Sequence, residues 1–430
     1  MKTKTPQINI VTLGCSKNSV DSEVIAGQLN RMNIQTEHGF NNGNIVIINT
    51  CGFINDAKEE SIDTILLYKD LKKRKKIDKL YVMGCLIERY KEELSKEING
   101  IDGWYGVNEM AKIVSDLGAE YRTSLIGERT LSTPPHYAYL KISEGCDRSC
   151  SFCAIPLIRG KQISRTIESL VDEATNLAST GVKELMLIAQ DLTMYGVDLY
   201  KRRALAELLD KLAEIKGIEW IRLHYAYPVN FPMDVIEVMK KHANICKYID
   251  IPFQHINDTL LDSMKRAHTQ ESTYKLIETL RNEIPNIVIR TTLIVGYPGE
   301  TETQFAELKT FVEKCRFDRL GVFAYSEEEN TSAAELEDDV PADVKEQRLS
   351  EIMEMQQDIS LTINEQKIGK TYKVIIDREE DGCYFGRTEF DSPEVDNEVI
   401  IPSEKVLAIG EFYNVKIEAA SFFDLEGVIS

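Results

Sequence analysis

The stretch YLKISEGCDRSCSFCAIPLIRGKQISR, which begins at Tyr139, places Cys146, Cys150 and Cys153 in a C-x3-C-x2-C spacing. Thiolate is a soft ligand, and three thiolates in one tight loop suit an iron–sulfur cluster. A structural zinc site normally closes with four ligands. No fourth Cys or His lies within this loop, and the nearest, His136, precedes Cys146 by ten residues. Three ligands to a four-iron cluster would leave one iron open to a substrate or cofactor. A zinc knuckle with a distant fourth ligand and a set of buried thiols are the alternatives.

Cys15, Cys51 and Cys85 form a second set, 36 and 34 residues apart. Each follows a run that reads as a parallel strand (INIVTLGC, NIVIINTC and KLYVMGC), and each lies beside a glycine, Gly14, Gly52 or Gly84. Successive parallel strands end on one edge of their sheet, where ligand sites form, so the three thiols should converge. The alternative is three small thiols packed as apolar residues. Cys246, Cys315 and Cys383 have no comparable setting and read as ordinary core or surface thiols.

The elements that must position these residues follow from periodicity. Residues 1–130 alternate strands with amphipathic helices (SVDSEVIAGQLNRM, and NDAKEESIDTILLYKDL capped by Asn55 or Asp56), an α/β domain with a parallel sheet. Residues 131–365 repeat the βα theme with six strand candidates: AYLKIS, ELMLIAQD, WIRLHYAYP, YIDIPFQH, VIRTTLIVGYPGE and RLGVFAYS. Six units predict a partial or full (β/α) barrel with its chemistry at the C-terminal strand ends. A long polar helix follows Pro341. Residues 366–430 read as short strands with Gly turns, a small β-barrel.

The 430 residues carry 51 Lys and Arg against 70 Asp and Glu, a net charge of −19. That disfavours an extensive nucleic-acid surface. The basic run KDLKKRKKIDK (69–79) reads as a solvated helix end, with RNA or an acidic partner as the alternative. The acid-rich stretch 327–343 reads as an exposed connector. No apolar run reaches about 18 residues, so no membrane span is expected. The first residues lack a secretory leader's apolar region. A cytoplasmic location is expected, where cysteines serve metal or redox chemistry more often than disulfides.

The Cys146–Cys153 loop, with Phe152 at its aromatic position, resembles the radical S-adenosylmethionine superfamily. The resemblance implies that the open iron binds S-adenosylmethionine. It also implies that Gln190 and Asp191 contact the methionine amino group, and that Gly296 and Glu300 in TLIVGYPGE form the adenosine-binding strand end. A helix cap and a plain strand-to-helix turn are the alternatives for these two segments. With TLGCSKNSVDSE, NTCGFI, GC and EGCDRSCSFCAIPLIRG present together, the whole chain resembles the methylthiotransferase family, and its tail would be a TRAM domain. The resemblance implies two [4Fe-4S] clusters, one on each cysteine set, and S-adenosylmethionine as both methyl donor and radical source. It also implies an electron donor such as flavodoxin or ferredoxin.

Members of that family modify adenosine in transfer RNA or an aspartate of a ribosomal protein. From Gln366 to Ser430 there are seven Lys and Arg against fourteen Asp and Glu, a net charge of −7. RNA-gripping domains are basic, because affinity comes from displacing counterions. The acidic tail, with GRTEFDSPEVD (386–396) and YSEEENTSAA, resembles the members that act on ribosomal protein S-twelve. Glu389, Asp391, Glu394 and Asp396 are expected to be exposed and to meet that basic protein. The reacting atom would be an aspartyl β-carbon, with Arg159, Lys161 and Arg165 as catalytic cations near its carboxylate. Transfer-RNA methylthiolation is the alternative function.

Overall fold

The computed structural model describes residues 7–39, 43–125, 127–402 and 405–430. Part of the stretch read for a leader, residues 1–6, lies outside them.

The N-terminal unit runs β1 (Gln7–Thr12), α1 (Ser16–Arg31), β2 (Gln35–His38), β3 (Ile45–Thr50), α2 (Asn55–Lys73), β4 (Lys79–Gly84), α3 (Cys85–Glu97), β5 (Gly103–Tyr105) and α4 (Met110–Asp116). All five strands are parallel, in the order β2-β1-β3-β4-β5. The three central strands are continuous apolar runs because helices cover both faces. Short edge strands β2 and β5 escape a reading by hydrophobic pattern. Ile54, not Asn55 or Asp56, occupies the cap position of α2, and no side chain caps it. Asn55 instead donates to Ser326 Oγ at 3.2 Å, across to the next unit.

That unit contains β6 (Tyr137–Lys141), β7 (Ser143–Glu144), α5 (Ile155–Arg159), β8 (Ile163–Ser164), α6 (Ile167–Ser179), β9 (Glu184–Ile188), α7 (Val197–Tyr200), α8 (Leu205–Ala213), β10 (Trp220–Leu223), α9 (Met233–Lys241), β11 (Ile245–Asp250), α10 (Asp258–Ser263), α11 (Gln270–Glu283), β12 (Val288–Val295), α12 (Glu302–Cys315), β13 (Arg319–Ala324) and α13 (Ala342–Glu365). Its main sheet is parallel and open, in the order β13-β12-β11-β10-β9-β6, the partial form of the barrel. Strand residues alternate between faces. Ala138, Leu140, Leu185, Leu187, Ile221 and Leu223 pack under the helices in the main core. Tyr137, Tyr139, Met186 and Ile188 face the other way and meet Val20 and Val24 of α1. The N-terminal unit thus packs on the inner face of the partial barrel. Polar ends of the strand candidates (AQD, HYAYP, GYPGE) leave the sheet and form loops at the C-terminal edge.

The tail, β14 (Thr371–Glu380), β15 (Cys383–Thr388), β16 (Val399–Pro402), β17 (Phe412–Ala420) and β18 (Leu425–Ile429), is a closed five-stranded barrel. It docks at the N-terminal strand ends. Trp220 meets Phe412 edge-on, with centroids 4.9 Å apart, and Ile375 and Phe390 join them around Cys246 and Tyr248.

In the acidic stretch of the tail Glu394 is exposed as expected, Glu389 and Asp396 are half-buried and Asp391 is buried. Asp391 is buried, pairs with Arg319 and accepts from Thr388 Oγ1 at 2.6 Å. Asp396 accepts from Tyr248 OH at 2.8 Å. Glu394 accepts from Tyr137 and Tyr139, both at 3.2 Å, and the Glu389 carbonyl accepts from Arg222 at 2.7 Å. A charge count sees none of these partners, so the expected docking face is in fact the plug that joins tail to barrel. The stretch 327–343 is corrected in part as well. Glu328 is buried and pairs with Lys58 of α2 and Arg89 of α3, and Thr331 and Ala333 are buried too. The basic run 69–79 is the exposed end of α2, where Lys72 pairs with Asp102 and Arg74 with Asp70.

Candidate functional site

Cys15, Cys51 and Cys85 stand in the loops after β1, β3 and β4, or at the helix starts they lead into. Asn18 ties these loops together. Its Nδ2 donates to the Leu13 carbonyl at 2.9 Å and the Thr50 carbonyl at 3.1 Å, and its Oδ1 lies 3.7 Å from Cys85 Sγ. Ser61 holds the Cys51 backbone from both sides, at 3.1 and 3.0 Å. Gly14 has φ +85°, and a Cβ there would fall 2.6 Å from Cys51 Cβ and 2.9 Å from its Sγ. Only glycine allows that approach. The thiols feel one another. Burial raises the Cys51 thiol, with Cys15 adding to the rise. Burial pushes Cys85 up to about 12, with Arg159 acting against it and Cys15 and Cys51 adding to it.

The second set lies in the loop after β7. Cys146 N–H donates to the Gly160 carbonyl at 3.0 Å, and Cys153 N–H to the Cys150 carbonyl at 3.2 Å. Ser151 anchors the loop, with its Oγ 2.8 Å from Tyr297 OH. Arg266 donates to Cys150 Sγ at 3.3 Å. Tyr227 is held between Arg148 at 4.0 Å and Arg266 at 4.3 Å from its ring centre, and its OH is 3.9 Å from Cys150 Sγ. Burial raises Cys146 to about 11 and Cys153 to about 12. Metal binding would have to release those protons. Cys146, Arg148, Cys150, Cys153, Lys161 and Asn330 line a cavity of about 370 Å³.

Both sets are all-sulfur, and each has a guanidinium against one sulfur, which suits thiolates carrying a cluster. Among the described residues no three His, Cys, Asp or Glu side chains are placed to hold one metal ion. Ligands of a four-iron cluster each bind a different iron and need not meet at one point.

The two sets are joined by α5. It starts two residues after Cys153, and its five residues rise about 7 Å. Ala154 and Ile158 pack against Cys85 and Val107. At its far end Arg159 is buried in the N-terminal unit. It donates to Cys85 Sγ at 3.4 Å, Asn18 Oδ1 at 2.6 Å, Asp21 at 2.8 Å and Glu144 at 3.0 Å. Burial opposes its charge, but Asp21, Cys85 and Glu144 hold it firmly protonated.

The other residues singled out by sequence lie as follows. Lys161 is exposed at the cavity rim. Arg165 points to Glu173 and the Lys141 carbonyl, away from both thiol sets. Phe152 packs against Leu260, Met264, Ile294 and Tyr297. Gln190 donates to Glu144 at 2.8 Å. Asp191 caps the turn at Thr193 and accepts from Arg148 at 2.8 Å, which brings it beside the Cys146 loop. Gly296 has φ +67°, and the chain that closes on it is Lys345 of α13. Glu300 is buried and accepts from Gly296 N–H, from Arg348 at 2.8 Å and from His255 at 3.0 Å. His136 is engaged with Asp377 of the tail at 2.8 Å.

Sequence reasoning missed Arg148, Tyr227 and Arg266 around Cys150, and Asn18 and Asp21 around Arg159. Asn18 and Asp21 had a signal. They stand three apart on α1, three and six residues after Cys15, and so share one helix face. Arg148 lies within the Cys146–Cys150 spacing itself, whereas Tyr227 and Arg266 come from distant loops and had none.

Comparison with known proteins agrees with this geometry. Residues 7–106 match Uncharacterized protein family UPF0004, residues 140–312 the Radical SAM superfamily and residues 368–429 the TRAM domain. The ribosomal protein uS12 methylthiotransferase RimO of Flavobacterium psychrophilum is 59% identical over 99% of this chain and 98% of its own length. That of Bacteroides thetaiotaomicron is 55% identical over 98% of each. Among solved structures, the radical S-adenosylmethionine methyltransferase TsrM from Kitasatospora setae aligns with a TM-score of 0.54 at 14% identity. The alignment covers 89% of this chain and 81% of that one, a likeness of fold alone. With both three-cysteine sites on their own units and relatives matched end to end, the chain belongs to the RimO family of radical S-adenosylmethionine methylthiotransferases.

Proposed function

We propose that this protein methylthiolates the β-carbon of an aspartate in ribosomal protein uS12. One S-adenosylmethionine supplies the methyl group and another the radical that removes hydrogen. The observation that carries the reading is Arg159, which ties the start of the barrel's chemistry to the N-terminal thiols. Cys146, Cys150 and Cys153 would hold one [4Fe-4S] cluster, and Cys15, Cys51 and Cys85 the other. When bound, the clusters supply the electron that opens S-adenosylmethionine and the sulfur that is transferred.

The chain's own residues position and shield. Arg159 fixes the distance between the two thiol sets and brings positive charge to Cys85. Arg148, held by Asp191, and Arg266 do the same at the Cys146–Cys153 loop. Gln190 and Asp191 would orient the amino group of S-adenosylmethionine. Phe152, Gly296 and Glu300 would shape its adenosine side, with Glu300 acting by fixing the Gly296 turn. Lys161 and Lys265 at the cavity rim suit an acidic electron donor of the flavodoxin or ferredoxin kind. The units divide at 130 and 365, in line with the matched segments 7–106, 140–312 and 368–429. Among the described residues no helix is long and apolar enough to cross a membrane, in keeping with a cytoplasmic enzyme acting on ribosomal protein.

The test is mass spectrometry of uS12 and transfer RNA from cells with and without the gene. Loss of one methylthio group from uS12 is expected. Loss from transfer RNA, with uS12 unchanged, would overturn the reading.

A further inference from the structure

Lys17 is the second residue of α1, two positions after Cys15. It is only 8% exposed. Its Nζ sits 3.2 Å from the centre of the Tyr225 ring, so this N-terminal lysine reaches into the barrel unit. Tyr225 stands just beyond β10, at the C-terminal edge where the radical site lies. Its carbonyl accepts from Leu192 N–H at 3.2 Å, next to Asp191. Its backbone is left-handed, with φ +64°. A non-glycine residue holds that conformation only where its surroundings impose it, and such positions cluster at functional sites.

Several cations of the two units have carboxylates, while Arg266 donates to Cys150 Sγ instead. Arg159 and Lys141 share Asp21 and Glu144. Arg148 has Asp191, and Arg290 has Asp250. Among the described residues the Lys17 ammonium forms no ion pair and no side-chain hydrogen bond; it lies over the Tyr225 ring. Its charge is nonetheless felt in the barrel interior. Burial, then Arg222, Arg290 and Lys17, keep His224 well below its ordinary value and neutral. A cation–π contact offsets only part of the cost of burying an ammonium without an anion. A buried ammonium without an anion suits an anionic group held between the two units.

We propose that Lys17 binds the side-chain carboxylate of the substrate aspartate and so sets the enzyme's choice of aspartate. This rests on the functional reading above. The carboxylate carbon is bonded directly to the β-carbon. Gripping it therefore fixes the reacting C–H between the two thiol sets, one bond from an anchored group. Lys17 comes from the unit that carries Cys15, and Tyr225 from the unit that carries Cys146. A carboxylate held there faces both.

S-adenosylmethionine also carries a carboxylate, so the test separates the two sources. Full-length wild type, Lys17→Met and Lys17→Arg are compared at matched iron content. Binding of purified uS12, of uS12 with asparagine at the target, and of S-adenosylmethionine is measured, together with methylthio product. Lys17→Met should weaken binding of aspartate uS12 by about ten- to a hundredfold, as expected for loss of a charged hydrogen bond. It should change binding of the asparagine form by less than about threefold, a margin far below one charged bond. S-adenosylmethionine binding and its uncoupled cleavage should be unchanged. Lys17→Arg should recover part of the discrimination. An unchanged aspartate-to-asparagine ratio in Lys17→Met, or an Arg variant no better than Met, overturns the assignment. Weakened S-adenosylmethionine binding with uS12 binding intact overturns it too and assigns Lys17 to the cofactor. Wild type that leaves uS12 unmodified overturns the functional reading and this inference with it.

Discussion

Nη2 of Arg159 lies 3.4 Å from Sγ of Cys85, although the two residues belong to different folding units. The same guanidinium reaches Asp21 and Glu144. Because α5 begins directly after the Cys146–Cys153 loop, any movement of one thiol set is passed to the other through about two turns of chain. Replacing Arg159 by Gln leaves Asp21, and part of the charge of Glu144, buried with less compensation. Loss of one partner of a buried pair costs about 3–5 kcal/mol. The expected outcome is a lower melting temperature and loss of methylthio product, with S-adenosylmethionine cleavage retained. Product formation at the normal rate would show that Arg159 is only a packing residue.

Removing the thiols of one set should separate the two clusters. Cys146, Cys150 and Cys153→Ala should halve the iron content and abolish cleavage of S-adenosylmethionine to 5′-deoxyadenosine. Cys15, Cys51 and Cys85→Ala should also halve the iron but keep that cleavage and lose the methylthio product. Iron analysis and chromatography of the nucleoside check both. One equivalent of zinc in place of iron would contradict them.

Gly14→Ala addresses the close approach at Cys51. The added Cβ would sit 2.6 Å from Cys51 Cβ at φ +85°. Strain of about 1–3 kcal/mol is expected, and with it selective loss of iron from the N-terminal set. A variant with full iron and unchanged melting would refute the tight fit.

Docking of the tail should fail in acid. Burial works against the charge of Asp391, but Arg319, Lys367 and Thr388 more than offset it and hold its carboxyl below the usual range. Asp377 is likewise held low against burial by Arg387 and His136. A carboxyl lowered on folding adds stability above its unfolded value, about pH 4, and that stability is lost as pH falls further. Trp220, packed on Phe412, reports the docking by fluorescence. Its emission should shift below about pH 4. In Asp391→Asn it should be shifted already at neutral pH, because Arg319 then lacks its buried partner. An unshifted Trp220 in that variant would show that the plug is not needed for docking.

Glu328 clamps the N-terminal unit to the barrel through Lys58 and Arg89. Glu328→Ala should leave two cations unpaired at the seam and destabilise it by about 3–5 kcal/mol. Faster hydrogen exchange across the starts of α2 and α3 is the expected sign. Exchange identical to wild type would place the clamp elsewhere.

The sequence by itself determined what is local. Cys146, Cys150 and Cys153 are close because one short loop contains them, so their spacing already states their chemistry. Cys15, Cys51 and Cys85 could be brought together on paper, since parallel strands end on a common edge and the strands are plain apolar runs. The closed tail barrel and the open parallel sheet follow from the same periodicities. Only the tertiary structure decided which charges meet. Asp391 and Asp396 count as surface acids in a composition, yet they fill the foot of the barrel, because their partners Arg319 and Tyr248 lie 72 and 148 residues away. Arg159 was legible as a cation near one thiol loop, but its contact with the other set depends on how α5 enters the N-terminal unit. Lys17 stands in the TLGCSKNSVDSE run, but its type alone said nothing of its setting. Its meaning comes from being buried without a counter-ion, and burial and pairing of that kind are set by packing between units rather than by the order of residues along the chain.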